Sequence, residues 1–141
     1  MKGNPAVSRK VFVNLPVKDL PRSMRFFREL GFEFNPQFTD DTAACMVISE
    51  ENYAMLLTEA KFKTFTPKAI CDATKSTEVL VALSCESKDE VNEFVKKAVA
   101  GGGSTYADSK DYGFMYQHGF QDPDGHIWEL VYMDIAAMQQ G

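Results

Sequence analysis

The chain has 141 residues, 45% of them hydrophobic and 12% aromatic, with 15 basic against 20 acidic side chains and a net charge of −5. A chain of this length buries about two thirds of its unfolded surface, so one domain with its own core is expected and needs no disulfide or metal staple. The acidic balance gives no electrostatic footprint for nucleic acid or anionic lipid, and two histidines exclude a site built from three imidazoles of one chain.

Met1 to Lys10 lacks the apolar run of a secretory signal, and no stretch approaches the roughly 18 apolar residues of a membrane span. A cytoplasmic protein with no membrane partner is expected. Val11 to Leu15 is β-branched and apolar and predicts a strand that Pro16 interrupts. Asp19 is placed to cap a helix on which Leu20, Met24, Phe27 and Leu30 recur at helical spacing, and Gly31 supplies its stop. Phe32 to Phe38, Ala43 to Ser49 and Tyr53 to Thr58 follow as strands, separated by turn-forming residues at 39–41 and 50–52. The first half therefore reads βαβββ.

Ala60 to Ser76 is a polar and aromatic connector, long enough for a short helix, a lid or a dimer arm. Beyond it the order repeats. Glu78 to Ser84 predicts a strand, and Ser87 with Glu90 forms a capping box. Val91, Phe94, Val95, Ala98 and Val99 trace one helical face that ends at Gly101 to Gly103. Ser104 to Tyr106, Phe114 to Phe120 and Ile127 to Met133 predict three more strands. The helix starts at Asp19 and Ser87 lie 68 residues apart, a spacing too long for a solenoid repeat and suited to a duplicated module. Module 1 is expected over about 10–60, the connector over 61–76 and module 2 over 77–134. Cys45, Cys71 and Cys85 are too far apart for a Cys-x-x-Cys half-site and read as buried free thiols of a reducing compartment. Met24, Met46, Met55 and Met115 read as gap fillers in the core.

Two segments at this separation carry a resemblance. Asn14-Leu15-Pro16-Val17-Lys18-Asp19-Leu20, with Phe26-Phe27 and Leu30-Gly31-Phe32, resembles the opening motif of the vicinal oxygen chelate superfamily. That superfamily includes glyoxalase I, the bleomycin resistance proteins and the extradiol dioxygenases. Asp122-Pro123-Asp124-Gly125-His126-Ile127-Trp128-Glu129-Leu130 is similar to its closing motif. The resemblance covers about residues 10 to 133 and implies an α+β fold: two βαβββ modules forming a curved eight-stranded cup with helices outside. Homodimers are common in such proteins, and a homodimer is expected here.

Glyoxalase I-like members hold a divalent metal with four side chains, two from each module. Carried over one by one, those positions fall on Phe12, Leu56, Leu80 and Glu129. Only Glu129 is a donor, and a divalent metal needs several N or O ligands to offset its dehydration. No metal site and no cofactor are therefore expected. Strand alternation puts Ile127 and Val131 on the face of Glu129, with Trp128, Leu130 and Tyr132 on the helix side. Pairing Phe120 with Ile127 sets His118 opposite Glu129, a carboxylate and imidazole able to act as a general base, with Phe114 and Tyr116 on the same face. Glu129 equally reads as a paired leftover of an ancestral ligand, His118 as a satisfied strand histidine, and Asn14 as either a ligand contact or a local backbone partner.

The leading expectation is a metal-independent small-molecule binding protein. Its amphipathic or planar aromatic ligand would lie against Phe12, Asn14, Leu56, Leu80, Phe114 and Tyr116, with His118 and Glu129 as the polar pair. The alternatives are a lyase or isomerase related to lactoylglutathione lyase, with Glu129 as base or lone metal ligand, and a dimeric interaction module whose cup is filled.

Overall fold

Burial along the opening segment alternates, as it must in a strand with one covered face. In the computed structural model, which describes residues 8–136, β1 (Val11–Val17) buries Leu15 and Val17 and exposes Phe12 and Asn14. α1 (Leu20–Glu29) follows, its first turn tied by the Asp19 carboxylate, which accepts from the Arg22 amide at 3.1 Å. β2 (Glu33–Phe34), β3 (Ala43–Val47) and β4 (Asn52–Thr58) complete a four-stranded sheet of order β1-β4-β3-β2, in which β1 and β4 are parallel. α2 (Glu59–Phe62) opens the connector, capped by Thr58.

The second half repeats this order. β5 (Leu80–Cys85), α3 (Lys88–Ala100), β6 (Lys110–Asp111), β7 (Met115–Gln121) and β8 (Ile127–Met133) give a second sheet of order β5-β8-β7-β6, with β5 and β8 parallel. Ser87 accepts from the Glu90 amide at 3.0 Å, and the Glu90 carboxylate accepts from the amide of Glu86 at 2.7 Å. The α+β class, the two βαβββ sheets and the internal duplication are thus as expected.

Four features differ from expectation, the first being that β1 runs through Pro16 to Val17, which its place at the edge of the sheet permits. The segment 32–38 pairs only at Glu33 and Phe34, because Pro36 lacks an amide for the ladder and starts a 3-10 turn over Pro36–Phe38. The segment 104–106 pairs only at Ser104, which bridges Gln121, and a two-residue β6 follows at Lys110. Cys71 is exposed in the connector, whereas Cys45 and Cys85 lie buried in strands.

Contacts divide the chain into two units that cross the module boundary. Among the described residues, 8–24 group with 31–70, and 25–30 group with 71–136. In the first unit Leu15, Ala44, Met46, Ala54 and Leu56 form the buried face of the sheet. In the second, α3 covers the face of β7 and β8 that carries Phe120, Trp128 and Leu130. The last turns of α1 join that core: Phe26 and Phe120 lie 5.9 Å apart between ring centroids, and Phe27 and Trp128 5.1 Å. Among the described residues no helix is long and apolar enough to cross a membrane.

The turn between β7 and β8 is fastened to this core by one carboxylate. Asp122 is 5% exposed, and its Oδ1 accepts from the amides of Asp124 and His126, each at 3.0 Å. Its Oδ2 accepts from Trp128 Nε1 at 3.1 Å. Burial pushes its carboxyl above the ordinary range, against the opposing pull of His126 and these donors. Asp122→Ala leaves three donors without that partner and is expected to cost about 3 kcal/mol in urea unfolding; a loss below about 0.5 kcal/mol contradicts the assignment.

Thiol chemistry offers a second check. Burial, with Glu90 adding to it, pushes the Cys85 thiol up to about 11, and burial also raises Cys45. At pH 8 a thiol reagent is expected to label Cys71 alone in the native protein and the other two only on unfolding. Fast labelling of a second cysteine contradicts this.

Candidate functional site on the open face of the second sheet

The hairpin turn decides which side chains reach this face. The Asp122 carbonyl accepts from the Gly125 amide at 2.9 Å, and the Asp122 amide donates to the His126 carbonyl at 3.0 Å. Gly125 has φ 92°, the left-handed conformation that a three-residue hairpin loop with a bulge requires. Asp122 thus pairs with His126, and the ladder runs Gln121 with Ile127, Phe120 with Trp128, Gly119 with Glu129, and His118 with Leu130. The expected register paired Phe120 with Ile127, and one residue of slip sends every side chain to the other face.

His118 therefore does not meet Glu129. Its ring lies on the helix-facing side, where Nδ1 is buried without a hydrogen-bond partner among the described residues. Tyr116 is on that side too, donating from its hydroxyl to Asn92 of α3 at 2.7 Å, with Lys88 Nζ 5.7 Å from its ring centroid. Phe114 precedes β7, continues the alternation of Tyr116 and is 40% exposed. None of the three lines the face of Glu129.

That open face carries Ile127, Glu129 and Val131 from β8, with Leu80, Ala82 and Ser84 beside them on β5. β7 contributes Gln117 and Gly119, opposite Val131 and Glu129. Leu80 is 53% exposed and Glu129 partly buried. Ile127, Glu129 and Val131 share one face, as alternation along β8 implies, and Leu80 stands beside Ile127.

Tyr106 completes the site, and the sequence reading missed its role. Ser104 bridges Gln121, and the same register carried two residues further sets Tyr106 opposite Gly119. Lys110 pairs with Gln117, so the edge segment holds two extra residues between these points and bulges there. The Tyr106 hydroxyl lies over Gly119 so closely that no Cβ fits at that position. Burial raises the Tyr106 pKa above 10.0, and the nearby Glu129 charge raises it further. Neither the phenol nor the carboxylate hydrogen-bonds to another of the described residues. The signal in the sequence was Gly119, since a glycine inside a strand often marks a close approach by another group.

The open face of the first sheet is built differently. Phe12 and Asn14 are exposed on it beside the partly buried Tyr53 and Met55, with the Phe12 and Tyr53 rings stacked at 4.9 Å and 13°, while the same face is closed at its Cys45 and Leu57 end, each of these being 1% exposed. Leu56 is not on it: paired with Leu15 and 0% exposed, it belongs to the core. Met55 takes its place beside Asn14.

The family's metal does not fit these residues. Of the four carried-over positions, Phe12 and Leu80 offer no donor and Leu56 is buried in the core. The adjacent Met55 offers only a soft thioether, which leaves Glu129 as the one hard ligand. Among the described residues no three His, Cys, Asp or Glu side chains gather as a metal site.

Comparison with known proteins agrees with the fold. Residues 9–49 match the family model described as bleomycin resistance protein-like N-terminal. A hypothetical protein from S. aureus is 26% identical, with TM-score 0.76 over 90% of this chain and 95% of its own. A glyoxalase-related enzyme from Fulvimarina pelagi shares the fold at 20% identity, with TM-score 0.74 over 89% of this chain and 88% of its own. So does the fosfomycin resistance protein FosX from Listeria monocytogenes, at 19% identity and TM-score 0.64, over 89% of this chain and 91% of its own. The last two likenesses speak for fold alone. Comparison with curated proteins returns no match. Fold and N-terminal signature together are consistent with the vicinal oxygen chelate superfamily.

Tyrosine titration tests the site geometry. The Tyr106 phenol is expected to ionise above pH 10.0, read as the difference in 295 nm absorbance between the parent and Tyr106→Phe. Glu129→Gln should lower its pKa only in part, because burial is the larger cause. No change in Glu129→Gln contradicts the proximity.

Proposed function

We propose that this protein binds a small organic molecule on the open face of its second sheet without using a metal. The observation that carries this reading is the Tyr106 and Glu129 pair. The Tyr106 phenol lies over Gly119, the residue paired with Glu129, on a face shared with Leu80, Ile127 and Val131, and neither polar group hydrogen-bonds to another described residue. An apolar surface with a few convergent polar groups is what orients a small ligand. The match to the bleomycin resistance protein-like model supports a binding role, and the carried-over donor set argues against a superfamily-type metal.

The same pair supplies a base and an acid, which favours one second reading: a lyase or isomerase related to lactoylglutathione lyase, with Glu129 taking a proton. Two measurements separate them. Native mass spectrometry of freshly purified protein is expected to show a retained organic ligand that EDTA leaves in place and that Glu129→Gln loses. Turnover of the methylglyoxal–glutathione hemithioacetal, abolished in Glu129→Gln, would overturn binding in favour of catalysis.

A further inference from the structure

Resting on that reading of the site, we infer that the ligand carries a protonated amine, seated between the Glu129 carboxylate and the Tyr106 ring with its apolar body over Leu80 and Ile127. Glu129 stands in the middle strand pair of the open face, on β8 opposite Gly119 of β7. β5 brings only Leu80, Ala82 and Ser84 to that face, and none is charged. The cation that register places nearest along the ladder is Lys110, at the far edge on β6 beside Gln117; it is exposed and forms no ion pair with Glu129. A partly buried carboxylate among apolar neighbours, with no ion-pair partner among the described residues, favours a ligand that brings the opposite charge.

Tyr106 adds an independent reason. Its aromatic ring crosses the face at Gly119, close enough for the Glu129 charge to act on its phenol. An ammonium between a carboxylate and an aromatic ring gains a charge-assisted hydrogen bond from one and a cation–π attraction from the other. An anionic ligand would meet only repulsion from Glu129. A neutral one would gain the apolar contact and a single neutral hydrogen bond.

Three probes of matched shape test this on the full chain: 2-phenylethylamine, 2-phenylethanol and 3-phenylpropanoate, followed by backbone amide shifts in two-dimensional NMR. The amine is expected to move the resonances of Tyr106, Gly119 and Glu129 and to bind about fivefold more tightly than the alcohol, with the carboxylate weakest. Glu129→Gln should erase the preference for amine over alcohol while the alcohol still binds. Tyr106→Phe should keep the preference and Tyr106→Leu reduce it. Equal binding of amine and alcohol, or an amine preference that survives Glu129→Gln, overturns the inference but leaves the binding site standing. If no probe moves these resonances, both the inference and the proposed site fail.

Discussion

The pairing of Asp122 with His126 is the constraint on which the candidate site depends. A three-residue loop closed at Gly125 fixes the register of β7 against β8, and the register fixes what faces Glu129. The same aspartate holds Trp128 Nε1, and Trp128 lies against Phe27. The motif that closes the chain is therefore a structural device. It locks the turn to the aromatic core and thereby aims Glu129 to the open side.

Most of the fold was legible before any coordinates. Period and caps placed both long helices, because Asp19, Ser87 and the glycines that follow act locally on the backbone. The alternation in β8 sorted Trp128 and Leu130 from Ile127, Glu129 and Val131 correctly, since that depends on parity within one strand. Pairing between strands was less accessible. A turn one residue longer moved His118 and Tyr116 to the helix side, and parity carried across from β1 put Leu56 in the core. Tyr106 was out of reach for a different reason: it lies in an edge segment with two extra residues, which no periodicity marks. Gly119, opposite it, was the only trace left in the sequence.

The two open faces have diverged in chemistry while keeping one topology. The first sheet offers a stacked Phe12 and Tyr53 with Asn14 and Met55 beside them, and the second offers Glu129 and Tyr106 on an aliphatic floor. Of the superfamily's metal positions only Glu129 keeps a hard donor. A lone carboxylate cannot hold a divalent ion against water, but it can select the charge of an organic ligand. What the fold retains is a register-locked surface on which Tyr106 and Glu129 hydrogen-bond to no other described residue.

Nuclear Overhauser contacts across the last hairpin measure this most directly. The structure requires cross-peaks from the Tyr106 ring protons to the Gly119 Hα, with Gly119 and Glu129 directly opposed. Contacts placing His118 opposite Glu129, with Tyr106 far from both Gly119 and Glu129, would contradict the register and with it the site.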